Sequence, residues 1–429
     1  IRCRMFCMPP DDRRVLVVGT TADYIDWIRT RRPGEAVFLT EHAVRQAAEE
    51  PRPAPEEELL CDLADEKRAL KDLADHLARW RQIPAGIVCY DCESMALAAR
   101  LAGAYGLPYP SVRAIENCRD KYRAKVLWRR EGLDTPAVRI VGSPSAAVAF
   151  FLETGGPVVL KPLSGSGSEF VFRCDSTGDC ERHYDRIVRG LRQRQNHRLY
   201  HGFAGDAPEI LAEAHVEGEE YSCDFVLENS QVTLIRLARK VLFAREPFGT
   251  ANAYILTGNW PAAIDRDAFD DTLHRSARAL GIERAVCMLD FILQRGRMVL
   301  LELAPRPGGD CLPALVRCCY GRDILLQMLD FSRRQPIDWS SPAVHTPLVG
   351  LRLHAGREGR LTRIDADLLR KDPRVREVHL IRRPGHVVKR PPADYEAWLL
   401  GHVLFAPDAG RDMDLQCREL RDKLVLEVA

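Results

Sequence analysis

The chain has 429 residues, enough for about three domains of ordinary size. Hydrophobic residues at 46% and charged residues at 29% exclude wholesale disorder, and 29 glycines with 27 prolines are too few for a collagen-like or low-complexity protein. A net charge of +1 leaves no strong field toward nucleic acid or an anionic membrane, and no apolar run nears the roughly 20 residues that cross a bilayer.

The opening residues, Ile1 to Pro10, lack the apolar core of a signal peptide. The 14 cysteines are scattered, and Cys3/Cys7, Cys89/Cys92 and Cys318-Cys319 lack the paired spacing of a zinc site. Reduced structural thiols in a cytoplasmic protein are expected, with a redox role for Cys89 and Cys92 as the lesser alternative.

Short apolar runs at 15–20, 36–40 and 86–90 read as buried parallel strands. Between them, leucines at helical spacing over 56–82 predict an amphipathic helix, and Met95 to Tyr105 predicts another, closed by Gly106 and Pro108. This alternation makes 1–112 a parallel α/β domain. Helices are expected at 117–131 and 144–154, the latter between strands at 138–141 and 158–160. The basic helix at 180–195 reads as a solvated face. Strands follow at 209–213, 220–227 and 231–239, then a helix at 267–280, strands at 285–293 and 298–304, and a helix over 312–331. A closing region holds strands at 349–354 and 375–381 and a helix at 411–424. The expected domains are 1–112, 113–335 (lobes 113–210 and 211–335) and 336–429.

Three tracts carry chemistry. In the first, a buried strand delivers Lys161 into a loop of Ser164, Gly165, Ser166, Gly167 and Ser168. Glycines let backbone N–H groups turn toward an anion, serines add donors and the lysine adds charge. No Gly-Lys-Ser/Thr closes the loop, and an expected strand at 169–173 rather than a helix follows, so neither common phosphate fingerprint applies. A hairpin tip is an equal reading. The second tract, 210–222, holds Glu213, His215, Val216, Glu217, Glu219 and Glu220 across a short turn. It reads as a solvated acidic turn or as a hinge whose backbone near Glu213 and Val216 meets a nucleobase, with Glu220 accepting from ribose hydroxyls.

The third tract is a hairpin. A three-residue loop at 295–297 would set Asp290 across from Glu302. Two facing carboxylates among apolar neighbours repel unless a cation sits between them, and hard oxygen ligands suit Mg²⁺. Arg306 follows on the same side by parity, a fork suited to an oxyanion or carboxylate.

In this order, Lys121, Lys161 with its loop, Glu213 to Glu220, Asp290, Glu302, Arg306 and Gly308-Gly309 resemble the ATP-grasp superfamily over about 110–335. The resemblance implies an α/β (α+β) ATP-grasp fold: an N-terminal parallel α/β domain, a two-lobed nucleotide-binding region and a small C-terminal α+β domain. It further implies that Lys121 and Lys161 contact ATP phosphates under a flap at 164–168. Glu213, His215, Val216 and Glu220 would hold adenosine, and Asp290 and Glu302 would bind Mg²⁺ or Mn²⁺. Arg306, with Gly308 and Gly309, would serve the substrate and the acyl phosphate. Lys240 sits where relatives often carry another phosphate-facing lysine. Many relatives carry Asn two residues after the metal glutamate; here Ala304 cannot ligate, which leaves a second metal short of a ligand.

The tract 304–313 and the tail around His379, His386 and His402 look most like L-amino acid ligases of natural-product pathways. This implies ATP-dependent joining of an amino acid or small carboxylate to an amine through an acyl phosphate. The implied partners are small molecules, with no nucleic acid, no membrane and a possible homodimer. Purine-biosynthesis or carboxylase-like ligases, and a degenerate nucleotide binder, are the alternatives. The substrate pocket is expected between the 243–260 segment, the 306–312 turn and the first domain, where Arg245, Phe248, Tyr254 and Trp260 line it or simply pack.

Overall fold

The computed structural model describes residues 12–194, 198–200, 209–243, 246–256, 260–339 and 347–429. It divides into two compact units.

The first unit takes the chain up to Val112 and adds Ile324–Asp338. Its parallel sheet runs in the order Glu58–Leu60, Ala36–Thr40, Arg13–Val18, Ile83–Val88. Val15 to Val18 are wholly buried, as a continuous apolar run between two covered faces requires. The helix expected over 56–82 starts later, at Glu66–Trp80, with Asp65 capping it and Ala69, Leu73 and Leu77 facing inward. Residues 58–60 pair as a short strand instead. The sequence pattern there is weak, and strand pairing with Phe38 to Thr40 decides it. Helix Met95–Tyr105 ends at Gly106 in the left-handed conformation, as expected. Helix Ile324–Ser332 packs on this unit: Tyr90 donates to the Leu325 carbonyl at 2.7 Å. Gly86 is required there, because a Cβ would lie 2.3 Å from Ser332 Oγ.

The single helix expected over 312–331 is therefore two, Leu312–Tyr320 and Ile324–Ser332, parted at Gly321 with φ 66°. They fall in different units.

The second unit comprises Arg113–Asp323 and Trp339–Ala429. A four-stranded antiparallel sheet runs Val138–Val141, Ile210–Ala214, Val158–Pro162, Phe172–Cys174. Helix Pro144–Thr154 and helix Thr177–Gln193 cover it. On the latter, Tyr184, Ile187 and Leu191 are buried while Arg182, Arg186, Arg189 and Arg192 are exposed, the solvated basic face that the spacing predicts. An eight-stranded antiparallel sheet runs Arg297–Ala304, Ala285–Gln294, Glu219–Glu228, Gln231–Val241, Ala253–Leu256, Leu348–His354, Leu399–Phe405, Val375–Leu380. The last three strands belong to the closing region of the chain and continue this sheet.

The helix expected at 117–131 is also two, Val112–Arg119 and Lys121–Arg130. Asp120 caps the second by accepting from the Arg123 N–H. Trp128 seats it by donating to the Ser276 carbonyl at 2.9 Å, which fixes Lys121 and Lys125 against the sheets.

Candidate active site

A cavity of about 350 Å³ opens in the second unit. One wall comes from the four-stranded sheet. Strand Val158–Pro162 carries Lys161, and the chain then turns through Ser164, Gly165, Ser166, Gly167 and Ser168, all of which line the space. Gly165 and Gly167 take positive φ (143° and 66°), and so does Ser168 (60°). The strand expected at 169–173 forms only at Phe172–Cys174, because the left-handed turn continues through Phe170. Ser168 Oγ donates to the Gly249 carbonyl at 2.6 Å, latching the loop to the opposite rim. Lys121, at the start of its helix, donates to the Gly165 carbonyl at 2.9 Å.

The opposite wall comes from the central sheet. Asp290 and Glu302 pair directly across neighbouring strands, as expected. The route differs, however. The turn holds two residues, Arg295 and Gly296, both at positive φ, and Leu301 bulges from its strand to restore the pairing. Glu220 and Lys240 lie alongside: Lys240 Nζ donates to Glu220 Oε1 and to Asp290 Oδ2, each at 2.6 Å. Burial works against this ammonium, but the two carboxylates hold its pKa well above the ordinary value.

Glu213 sits at the junction of the two walls, 2% exposed. Its Oε2 holds Lys161, and its Oε1 lies 3.0 Å from Lys125 Nζ. Burial pushes the carboxyl up, but the two ammonium charges outweigh it and hold it at about 2. Glu302 opens to the cavity, with Lys121 Nζ 3.8 Å away. Burial raises its carboxyl, while Lys121, Lys240, Lys161 and Lys125 together keep it below its ordinary range. His215 and Val216 line the far end, where the His215 ring lies 6.0 Å from Phe248. Burial and the Arg173 charge lower the His215 pKa, so the ring is neutral at pH 7.

One cavity thus joins Lys121, Lys161 and a glycine/serine loop to a pair of facing carboxylates. Residues 154–314 match the profile of the ATP-grasp domain. The chain carries an ATP-grasp domain. It is 24% identical over 311 residues to an uncharacterized protein of Sinorhizobium fredii, covering 71% of this chain and 61% of that one. It is 29% identical over 213 residues to a D-alanine–D-alanine ligase of Acidovorax ebreus, covering 47% and 59%. These matches span about three-fifths of each relative's length. Among solved structures, an L-amino acid ligase from Bacillus licheniformis superimposes with a TM-score of 0.77 at 18% identity, over 97% of this chain and 99% of that one.

The ATP-grasp cavity brings together Lys121, Lys161, 164–168, Glu213, His215, Val216, Glu220, Lys240, Asp290 and Glu302. It does not include Arg306, Gly308 or Gly309 in its lining. Arg306 Nη1 donates to the Pro307 carbonyl at 2.8 Å, and Gly308 N–H donates to Asp224 Oδ1 at 3.1 Å. Asp224 is itself gripped by Arg236 through two bonds of 2.8 Å, so the turn after Glu302 rests on a buried ion pair. Phe248 lines the cavity, Tyr254 pairs with Lys240 in the ladder, and Trp260 packs edge-on against Phe269 at 5.0 Å. Arg245 lies outside the described residues.

The carboxylates fit a divalent metal. Asp290 Oδ2 is taken by Lys240, but Asp290 Oδ1 is buried with no hydrogen-bond partner, and Glu302 faces it across the ladder. Among the described residues no three His, Cys, Asp or Glu gather as a closed metal cage. Two carboxylates plus phosphate oxygens and water are what Mg²⁺ ordinarily takes.

Lys125 is the residue that motif reading missed. It is wholly buried and also donates to the Leu301 carbonyl at 2.6 Å. Its signal was its place four residues after Lys121, on the same helix face. Among the described residues no helix is long and apolar enough to cross a membrane.

Proposed function

We propose that this chain is an ATP-dependent carboxylate–amine ligase that joins an amino acid or small carboxylate to an amine, releasing ADP and phosphate. One observation supports it most: phosphate-type lysines with a glycine/serine loop face a carboxylate pair across one cavity. In this reading His215, Val216 and Glu220 hold the nucleoside end. Lys121, Lys161 and the 164–168 loop hold the phosphates, and the loop excludes water when latched. Asp290 and Glu302 would hold Mg²⁺ or Mn²⁺, which would supply positive charge against that developing on the phosphates. Lys240 keeps Glu220 and Asp290 oriented.

The substrate carboxylate attacks the γ-phosphate, forming an acyl phosphate and ADP. An amine then attacks the acyl carbon, giving the amide and phosphate. The side chains contribute position and charge more than proton transfer. Arg306 and the turn through Gly308 and Gly309 follow the Glu302 strand directly and are assigned to the acyl end. The use of ATP favours a cytoplasmic setting.

The test is ADP release with ATP and Mg²⁺ over paired amino acids and small carboxylates, with mass spectrometry for the condensation product. ADP and product appearing only with defined pairs support the reading. ATP binding with no pair active across a broad panel argues for a nucleotide binder without turnover.

A further inference from the structure

Lys125 has no place in the reaction as written, and its burial needs a reason. Enclosing an ammonium group costs several kcal/mol unless a partner compensates. Its partners have a pattern. Nζ reaches Glu213 Oε1 at 3.0 Å and the Leu301 carbonyl at 2.6 Å, and the second oxygen of Glu213 holds Lys161. A continuous polar chain therefore runs from the bulge beside Glu302, through Lys125 and Glu213, to Lys161. It crosses from the central sheet to the four-stranded sheet. Lys161 is a four-carbon tether with much rotamer freedom. Glu213 is what restrains it, and Lys125 is what restrains Glu213.

We infer that Lys125 is a positioning residue: through Glu213 it sets Lys161 for the nucleotide phosphates, and through Leu301 it ties that lysine to the strand bearing Glu302. The inference rests on the nucleotide-binding reading of the cavity. It deepens that reading by separating Lys121 and Lys161, which face the ligand, from Lys125, which never touches it. A neutral replacement leaves Glu213 with one cation, so Glu213 and Lys161 move together out of register with the loop.

A purely structural role and a positioning role differ in what they do to two ligands. Loss of packing weakens adenosine and ATP alike, whereas loss of Lys161 placement weakens only ATP. Calorimetric titration with ATP and with adenosine would be run on wild type, Lys125→Met, Lys161→Met and the double variant. Lys125→Met is expected to weaken ATP about tenfold, as for one lost charged contact, with adenosine unchanged. The double variant should bind ATP no more weakly than Lys161→Met. Lys125→Met/Glu213→Gln keeps the test usable if the single variant fails to fold, since it removes the wholly buried ammonium together with its carboxylate. It should also lose ATP affinity and keep adenosine.

Equal loss for both ligands overturns the inference. So do effects of Lys125→Met and Lys161→Met that multiply, or wild-type ATP binding in Lys125→Met/Glu213→Gln. Wild type that binds neither ligand overturns the cavity reading itself.

Discussion

Replacing Glu213 by glutamine isolates the electrostatic centre of the site. The side chain keeps its shape and loses its charge, leaving Lys125 wholly buried with only the neutral amide and the Leu301 carbonyl as partners. Two routes give the magnitude. The carboxyl is held at about 2 against an ordinary 4.5, a difference of about 2.5 units, or about 3 kcal/mol at neutral pH. Breaking a buried ion pair by removing one partner costs about 3–5 kcal/mol. The routes agree on about 3 kcal/mol.

The sign follows from the depressed value. The contribution is fully present above about 4.5 and is lost as pH falls from there toward about 2. Urea unfolding followed by circular dichroism, at pH 7, 5 and 3, reads it. Glu213→Gln should be about 3 kcal/mol less stable than wild type at pH 7, and the gap should narrow as the wild-type carboxyl takes up its proton. A loss below about 1 kcal/mol at pH 7, or a gap that stays constant with pH, refutes the reasoning.

Other substitutions probe other parts. Glu302→Ala should abolish ADP formation while circular dichroism and the melting temperature stay close to wild type; near-normal turnover refutes the metal assignment. Gly308→Ala would put a Cβ 2.4 Å from Arg236 Nη2 and 2.7 Å from Leu312 Cδ1, beside a buried ion pair that cannot yield freely. Thermal melting should show a loss of about 1–3 kcal/mol, and an unchanged melting temperature would contradict the packing described for this turn.

Much of the fold was legible because local signals and tertiary contacts agree. Continuous apolar runs such as 15–18 became buried strands, and Gly106 closed its helix through ordinary capping. The pairing of Asp290 with Glu302 was foreseen through a turn that does not exist; a shorter turn and a bulge at Leu301 compensate. What stayed illegible was non-local. Nothing in 375–405 says that its strands extend a sheet begun at Glu219, and nothing in 312–331 says that Gly321 hands the second helix to another unit.

In the site, residue types at fixed order located the lysines and acids, but not their partners. The backbone near Glu213 was expected to meet a base; the order of residues gave no sign that its side chain would hold Lys125 and Lys161. Lys125 was overlooked because a helical lysine is ordinarily solvated. Parity put Arg306 on the side of Glu302, but the strand ends at Ala304 and the following turn, with Gly308 bonded to Asp224, leaves Arg306 outside the cavity lining.

The proposed reaction activates a carboxylate by phosphorylating it. The most direct measurement uses a substrate pair that releases ADP, with ¹⁸O in both carboxylate oxygens, and mass analysis of the inorganic phosphate. One ¹⁸O is expected in each phosphate and one in the amide. Unlabelled phosphate, formed while ADP and product accumulate, would contradict it.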